Sequence, residues 1–420
     1  MAAIFDVILL GPTGVTGREV ARYLARRAPP LGLTWAVAGR DRDRIDAVLG
    51  RVGATPDGVV LADVADAASI EALVERGRVV ANLVGPYARS GEPVHSACAR
   101  AGVHQLDLTG EIEWVRQMID RHEPTALASG AAIVPCAGFE SLPFDLAALL
   151  AASIAHGRAG SPVIDVDAAV AFSAPDALTG ITDAVSGGTF ASLVEIMRSG
   201  RGRLPDPHAL DPVRSRQAGG YDLRPRRHTG TGVWLAPLFP SPLINPPVLH
   251  RSAALLRADG DTVFAPDYRY REGTVTASML GPANAPGVAP VASAAMALSQ
   301  AAVTGAQLLP KVIRSGLADA LARFGPAPGT GPRPETLDEW SYRIDVHAVT
   351  ASGDTADVTV EALGHPGYKS TATLVGEAAL AIASIVAPRA GYVTPATVLG
   401  VHDLDRFNNA GARFTVTDGT

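Results

Sequence analysis

Seven residues near the start of the chain constrain the fold more than any other feature. The apolar run Ile4-Phe-Asp-Val-Ile-Leu-Leu10 passes directly into Gly11-Pro-Thr-Gly14-Val-Thr-Gly17, and Gly17–Arg27 then reads as a helix. An apolar strand without alternation is buried on both faces, and a glycine turn lets the backbone bend tightly into a helix N-terminus. Further apolar strands are expected at Leu33–Ala38, Val59–Ala62, Val79–Leu83, His104–Asp107 and Ala131–Cys136, with helical stretches at Arg42–Leu49, Ala68–Glu75 and Glu92–Ala101. Buried strands joined by helical crossovers predict an α/β architecture, a Rossmann-like doubly wound parallel sheet covered on both faces.

The spacing in the first turn is GxxGxxG. Glycines there allow close approach of a pyrophosphate, whose charge the helix N-terminus meets. Gly11, Thr13, Gly14, Val15, Thr16 and Gly17 are therefore candidate dinucleotide-binding residues. The second strand ends in Ala38-Gly39-Arg40, where an NAD enzyme carries an acid. A guanidinium pairs with a ribose 2′-phosphate that an acid would repel, so Arg40 selects NADP(H). The alternative is that Asp41 serves the ribose. Asp63, after the third strand, touches the adenine edge or caps the next helix. Ligands sit at the carboxyl ends of such strands, which places Val84, Gly85 and Pro86 beside the nicotinamide. Tyr87 is then the first candidate proton donor, unless Gly-Pro-Tyr is simply a turn. Ser141 reads as the N-cap of the helix Phe144–Ala155, with Asp145 in its first turn.

Composition removes several classes of function. Hydrophobic residues make up 47%, which excludes disorder as the main state. The 36 basic and 42 acidic side chains give a net charge of -6, so nucleic acid is not a partner. Two cysteines supply neither a disulfide framework nor a tetrahedral metal site, and a reducing, cytoplasmic compartment fits.

Beyond residue 160 the pattern changes to alternation at Val163–Phe172, Tyr342–Val349 and Ala356–Leu363, as in half-exposed strands. The organisation expected is an NADP-binding domain at 1–157, an inserted α+β substrate domain at 158–388, and a tail at 389–420 packing back on the first domain. Ser186-Gly-Gly-Thr189 and Tyr368-Lys-Ser-Thr371 each open a helix. Arg198 to Arg227 holds eight arginines against three aspartates, either a solvated loop or a landing patch for an acidic carrier. Thr229–Leu249 has no charge and five prolines, which excludes a membrane-spanning helix and suggests an apolar loop, buried or lining an acyl pocket. Gly273–Pro310 is also uncharged; Val288–Leu309 is long enough to span a bilayer but too weakly apolar, so a buried or interfacial helix is expected, with peripheral membrane contact as the alternative.

Together, GPTGVTG at 11–17, AGR at 38–40, NLVGPY at 82–87, DLTGE at 107–111, GFESLPFD at 138–145, YKST at 368–371 and VTPA at 393–396 resemble the saccharopine dehydrogenase-like oxidoreductases. Within that group the chain resembles the trans-acting enoyl reductases of actinobacterial polyketide-lipid biosynthesis. Pro12 stands where the glycine loop commonly has alanine, and Glu140 where aspartate is usual. The resemblance implies an NADP(H) oxidoreductase with an inserted second domain. True saccharopine chemistry needs several cations to hold free carboxylates, whereas the pocket segments here are apolar. The expected reaction is hydride transfer from NADPH to the β-carbon of an α,β-unsaturated acyl thioester, carried on an acyl carrier protein or polyketide synthase. Tyr87 is the first candidate acid and Lys369, at a helix start, the second. The rivals are an NADP enzyme for a small imine, ketone or amino acid, and a non-catalytic NADPH-binding lipid-surface protein. A homodimer is compatible with either.

Overall fold

The computed structural model describes residues 4–175, 190–191, 194–195, 197–198, 206–212, 221–237, 241–280, 287–306, 308–324 and 331–417. The expected helix start at Ser186-Gly-Gly-Thr189 lies outside the described residues.

Among the described residues, fourteen strands form two seven-stranded sheets. The first contains β1 (Phe5–Leu10), β2 (Trp35–Gly39), β3 (Gly58–Leu61), β4 (Gly77–Asn82), β5 (His104–Asp107), β6 (Ala132–Val134) and β13 (Gly391–Tyr392). Every pairing in it is parallel and the order is β13-β6-β5-β4-β1-β2-β3. The chain winds outward from β1 through β2 and β3, then crosses back to lay β4 on the other side of β1. The order therefore reverses between β1 and β4, and a crevice opens beyond their carboxyl ends. Val7, Ile8 and Leu9 of β1 and Val79, Val80 and Ala81 of β4 are fully buried, as two-sided burial of a parallel sheet requires.

The second sheet contains β7 (Val163–Ser173), β8 (Arg226–Arg227), β9 (Trp234–Ala236), β10 (Phe264–Val275), β11 (Ser341–Thr350), β12 (Thr355–Leu363) and β14 (Ala412–Thr417), in the order β14-β12-β11-β7-β10-β9-β8. Only β7 and β10 run parallel. Tyr342, Ile344, Val346 and Ala348 alternate inward along β11 and pack on the helix Leu142–Ala159. That helix is apolar around most of its circumference because it follows β6 of one sheet and lies under the other. Burying each large aliphatic side chain there stabilises by roughly 1.5–3 kcal/mol.

Four parts of the chain differ from the sequence reading. The helix Thr371–Ser384, inside the stretch assigned to the second domain, packs on β1, β4 and the helix Val15–Arg27. Its buried Glu377 accepts from Tyr23 Oη at 2.6 Å and pairs with Arg27 and Arg406. The chain after 389 serves both sheets, with β13 beside β6 and β14 beside β12. The expected apolar loop at 229–249 is instead the strand β9 followed by a helix at Ser241–Ala258. Pro246 and Pro247 remove two backbone donors from that helix, and tertiary packing overrides their cost. The helix Val288–Ala306 is not buried: Val291 is 71% and Leu298 74% exposed. It is long and apolar enough to cross a membrane by length and composition.

Candidate active site

The crevice at the β1/β4 switch point is built mostly from backbone. Gly11 leaves β1 with φ +94°, a conformation that side chains rarely adopt, and a Cβ there would lie 2.9 Å from Val84 Cγ2. The loops after β1 and β4 therefore touch. A Cβ on Gly17 would stand 2.1 Å from the Gly11 carbonyl oxygen, so the third glycine is what lets the helix begin this close to the strand. Gly14 is the N-cap of the helix Val15–Arg27; no side chain caps it, and its first turn holds no acid. Free N–H groups and an unopposed positive helix end suit a pyrophosphate. Thr13 and Gly14 are exposed, and Thr16 is half-buried. The Val15 side chain points away from the crevice into a small cluster with Leu337 and Tyr368, leaving its backbone to face a ligand. Asn82 Oδ1 accepts from the Val84 N–H at 3.1 Å and shapes the opposite wall, where Gly85 is exposed and Pro86 half-buried.

Arg40 is exposed at the end of β2 and pairs with no carboxylate among the described residues, so its guanidinium is open to a phosphate. Asp41 is engaged as the N-cap of the helix Arg42–Val52, accepting from the Arg44 N–H at 3.0 Å. That use weighs against Asp41 as the ribose ligand. Asp63 Oδ1 accepts from the Ala65 N–H at 3.0 Å and turns the chain after β3; the cap of the next helix is Asp66. These residues fit an NADP(H) molecule laid across the sheet edge.

The two candidate acids are placed elsewhere. Tyr87 is buried, its hydroxyl donating to the Asn82 carbonyl at 3.0 Å and accepting from the Leu108 N–H at 3.2 Å. Burial, then the nearby Asp107 carboxylate, push it well above the ordinary tyrosine range. Its side chain clamps the ends of β4 and β5 together and does not present an acid to the crevice. Lys369 is half-buried and paired with Asp338, and its further charged neighbours are Glu19, Arg22 and Arg26 on the flank of the helix Val15–Arg27. Desolvation lowers its pKa. The structure does not bring Tyr87 and Lys369 together.

Other side chains do converge on this edge. Glu111 accepts from the Tyr87 and Ala88 N–H groups at 2.9 and 2.8 Å, fixing the loop after β4. Asp107 is buried with His95 Nε2 2.7 Å away. Ser141 stands at the N-cap of its helix as expected, but its hydroxyl caps no backbone N–H and instead donates to Asn245 Oδ1 at 2.9 Å. Asn245 Nδ2 donates to Glu272 Oε2 at 2.8 Å, and Tyr270 Oη donates to the same oxygen at 2.7 Å. Asp145 accepts from Ser252 Oγ and the Ala396 N–H, and burial raises its carboxyl to about 6. Glu272 and Tyr270 line a cavity of about 390 Å³ with Tyr221, Pro246, His250 and Tyr268, a size suited to a small-molecule group. A second cleft of about 540 Å³ lies at the end of the second sheet beside Phe172 and Tyr342. Phe172 packs at a tilt and Tyr342 edge-on against Phe139 of the loop after β6.

Residues 7–134 match the family described as the saccharopine dehydrogenase NADP binding domain. A provisional trans-acting enoyl reductase of Mycobacterium tuberculosis is 32% identical over 433 residues, covering 98% of this chain and 97% of the relative. The trans-acting enoyl reductase of Mycobacterium ulcerans is 31% identical over 437 residues, 98% of each chain. This chain belongs to the saccharopine dehydrogenase-like oxidoreductases. It sits in the group that includes the mycobacterial trans-acting enoyl reductases, and it is an NADP-dependent enzyme. Among solved structures, apo saccharopine dehydrogenase from Saccharomyces cerevisiae aligns with a TM-score of 0.49 at 15% identity, over 98% of this chain and 99% of that one.

For this oxidoreductase, sequence reasoning missed the helix Ile112–Ser129 behind the Glu111 loop, and the Asn245–Glu272–Tyr270 cluster entirely. The visible signal was a glutamate in a strand of alternating tyrosines and arginines, Tyr268-Arg-Tyr-Arg-Glu272. The described arginines of the suspected landing patch are partnered: Arg198 with Asp319, Arg224 with Asp222, Arg226 with Asp167, and Arg227 over the Trp234 ring at 5.0 Å. Arg201, Arg203, Arg214 and Arg216 lie outside the described residues.

Proposed function

We propose that this chain is a trans-acting enoyl reductase that reduces an α,β-unsaturated acyl thioester in lipid or polyketide assembly. The observation that carries this reading is the extent of the similarity: relatives bearing that name match through both sheets, not through the cofactor half alone. Gly11, Thr13, Gly14, Val15, Thr16 and Gly17 are proposed to hold the pyrophosphate, Arg40 the 2′-phosphate, Asp63 the adenosine side, and Val84, Gly85 and Pro86 the nicotinamide wall. NADPH bound there supplies a hydride to the β-carbon. The protein's part is to orient the cofactor through backbone, to exclude water, and to supply a proton at the α-carbon.

The cavity beside β10 agrees with an acyl thioester better than with a free amino acid. Arg269 and Arg271 on its wall are both held by Asp165, at 2.8 and 2.6 Å, and Arg224 is held by Asp222. A site for free carboxylates would keep such cations open. The carrier is proposed to be a separate acyl carrier protein or polyketide synthase, in keeping with the relatives' names. The test is NADPH consumption with enoyl thioesters of increasing chain length, with NADH as the control. Turnover that prefers NADPH and longer acyl chains supports the reading. Turnover only with small imines, ketones or amino acids contradicts it.

A further inference from the structure

The cavity beside β10 contains unsatisfied chemistry. Glu272 is 7% exposed, and its Oε1 meets no hydrogen-bond partner among the described residues; neither does the hydroxyl of Tyr268 on the same wall. Buried oxygens without partners in a cavity wall mark a place where a ligand or ordered water completes the bonding. The wall is also joined to the cofactor edge. Ile244, one residue before Asn245, sits where a Cβ on Gly110 would lie 2.8 Å from its Cδ1, so this turn of the helix rests on the loop after β5. Ser141 of the loop after β6 reaches Glu272 through Asn245 in two hydrogen bonds of 2.9 and 2.8 Å.

On the enoyl reductase reading, we propose that Glu272 is the acid of the reaction, protonating the α-carbon of an acyl thioester lodged in this cavity, with Tyr270 and Asn245 as its positioning residues. As hydride forms the new C–H bond at the β-carbon, the π pair of the double bond moves toward the thioester oxygen as an enolate. The Glu272 O–H bond then breaks, its proton forms the α C–H bond, and its electron pair stays on the carboxylate. Water returns the proton for the next turnover. The double bond is reduced and NADPH oxidised, with one proton consumed.

The surroundings suit a carboxyl that must be neutral before the reaction. Burial raises Glu272 to about 7, the hydrogen bonds from Tyr270 and Asn245 pull it down, Glu140 after β6 adds to the rise, and Arg226 of β8 opposes it. The other titratable groups lining the cavity are His208, Tyr221, Asp222, Arg224, His250, Asp267, Tyr268, Arg269 and Arg271, and burial holds His250 neutral with a pKa of about 3. An acid poised near neutrality is efficient at neutral pH.

The experiment uses the full-length protein with NADPH. E272Q should bind NADPH within about threefold of wild type yet lose roughly 10²- to 10³-fold in enoyl thioester turnover. The wild-type rate should fall above pH 7, because the working form is protonated, and that limb should vanish in E272Q. Y270F keeps the acid but removes a hydrogen bond to its carboxylate, so the limb should move to higher pH. Infrared spectra at pH 6 should show a neutral carboxyl band that is absent in E272Q and shifts when a saturated acyl thioester is added. Turnover of E272Q within threefold of wild type overturns the proposal, as does an unmoved limb in Y270F or a band indifferent to the thioester. The infrared readout needs no turnover, so its failure counts against Glu272, whereas absent turnover in wild type counts against the reductase reading.

Discussion

The two sheets build their sites in opposite ways. At the edge of the first, the groups proposed to hold the cofactor are backbone: a glycine at φ +94°, a glycine with no room for a Cβ, and a helix start without a side-chain cap. Beside the second, they are side chains drawn from separated segments, with Tyr221, Tyr270 and Glu272 lining one cavity and Asn245 and Ser141 hydrogen-bonded in series behind Glu272. A backbone site is fixed by local spacing. A side-chain site exists only after the chain has folded, and it depends on buried polar groups being paired.

That contrast predicts different failures. The largest effect should come from Arg226→Ala, which leaves the fully buried Asp167 carboxylate without the guanidinium 2.7 Å away. Chemical denaturation should register a loss of roughly 3–5 kcal/mol. A variant within 1 kcal/mol of wild type would show that the second sheet does not depend on this pair. In the first region, Gly17→Ala should weaken NADPH binding by roughly a hundredfold or more, about 2.7 kcal/mol, because the loop must open to admit the methyl group. Gly14→Ala provides the contrast: its Cβ would come no closer than 3.8 Å to the Gly11 oxygen. The fold should accept it with about 0.5 kcal/mol of change in a denaturation curve. Equal damage from both would deny the close-approach argument.

Arg40→Ala sharpens the cofactor side further. NADPH affinity, read by fluorescence titration, should drop roughly 10- to 100-fold while NADH affinity stays level, since only one of them carries the phosphate. A parallel loss of both would place Arg40 outside the ribose site. A modest effect belongs to Tyr87→Phe. Losing the hydroxyl unpairs one backbone N–H and one carbonyl, so stability should fall by about 1–2 kcal/mol with little change in the pH profile of turnover. Removal of a pH limb would restore Tyr87 as an acid.

The same contrast explains what the sequence made legible. The strand–glycine–helix junction at 4–27 and the arginine after β2 depend on neighbours a few residues apart, and spacing alone revealed them. Parallel strands such as Val79–Leu83 were recognisable because two-sided burial leaves an unbroken apolar run. The helix Ser241–Ala258 was hidden by its own prolines, since its stability comes from the elements it packs against. For Tyr87 the motif position beside the cofactor says nothing about where the ring turns, and here it turns inward to the ends of β4 and β5. Glu272 could not be found from spacing, because Asn245 is 27 residues away and Ser141 more than a hundred.

The most direct measurement follows the hydride. With NADPH deuterated at the transferable position and an enoyl thioester, mass spectrometry of the product should find one deuterium at the β-carbon. In heavy water with ordinary NADPH, one deuterium should appear at the α-carbon. A product without label at the β-carbon, or label recovered only in an alcohol or amine from another substrate, would contradict the enoyl reductase account.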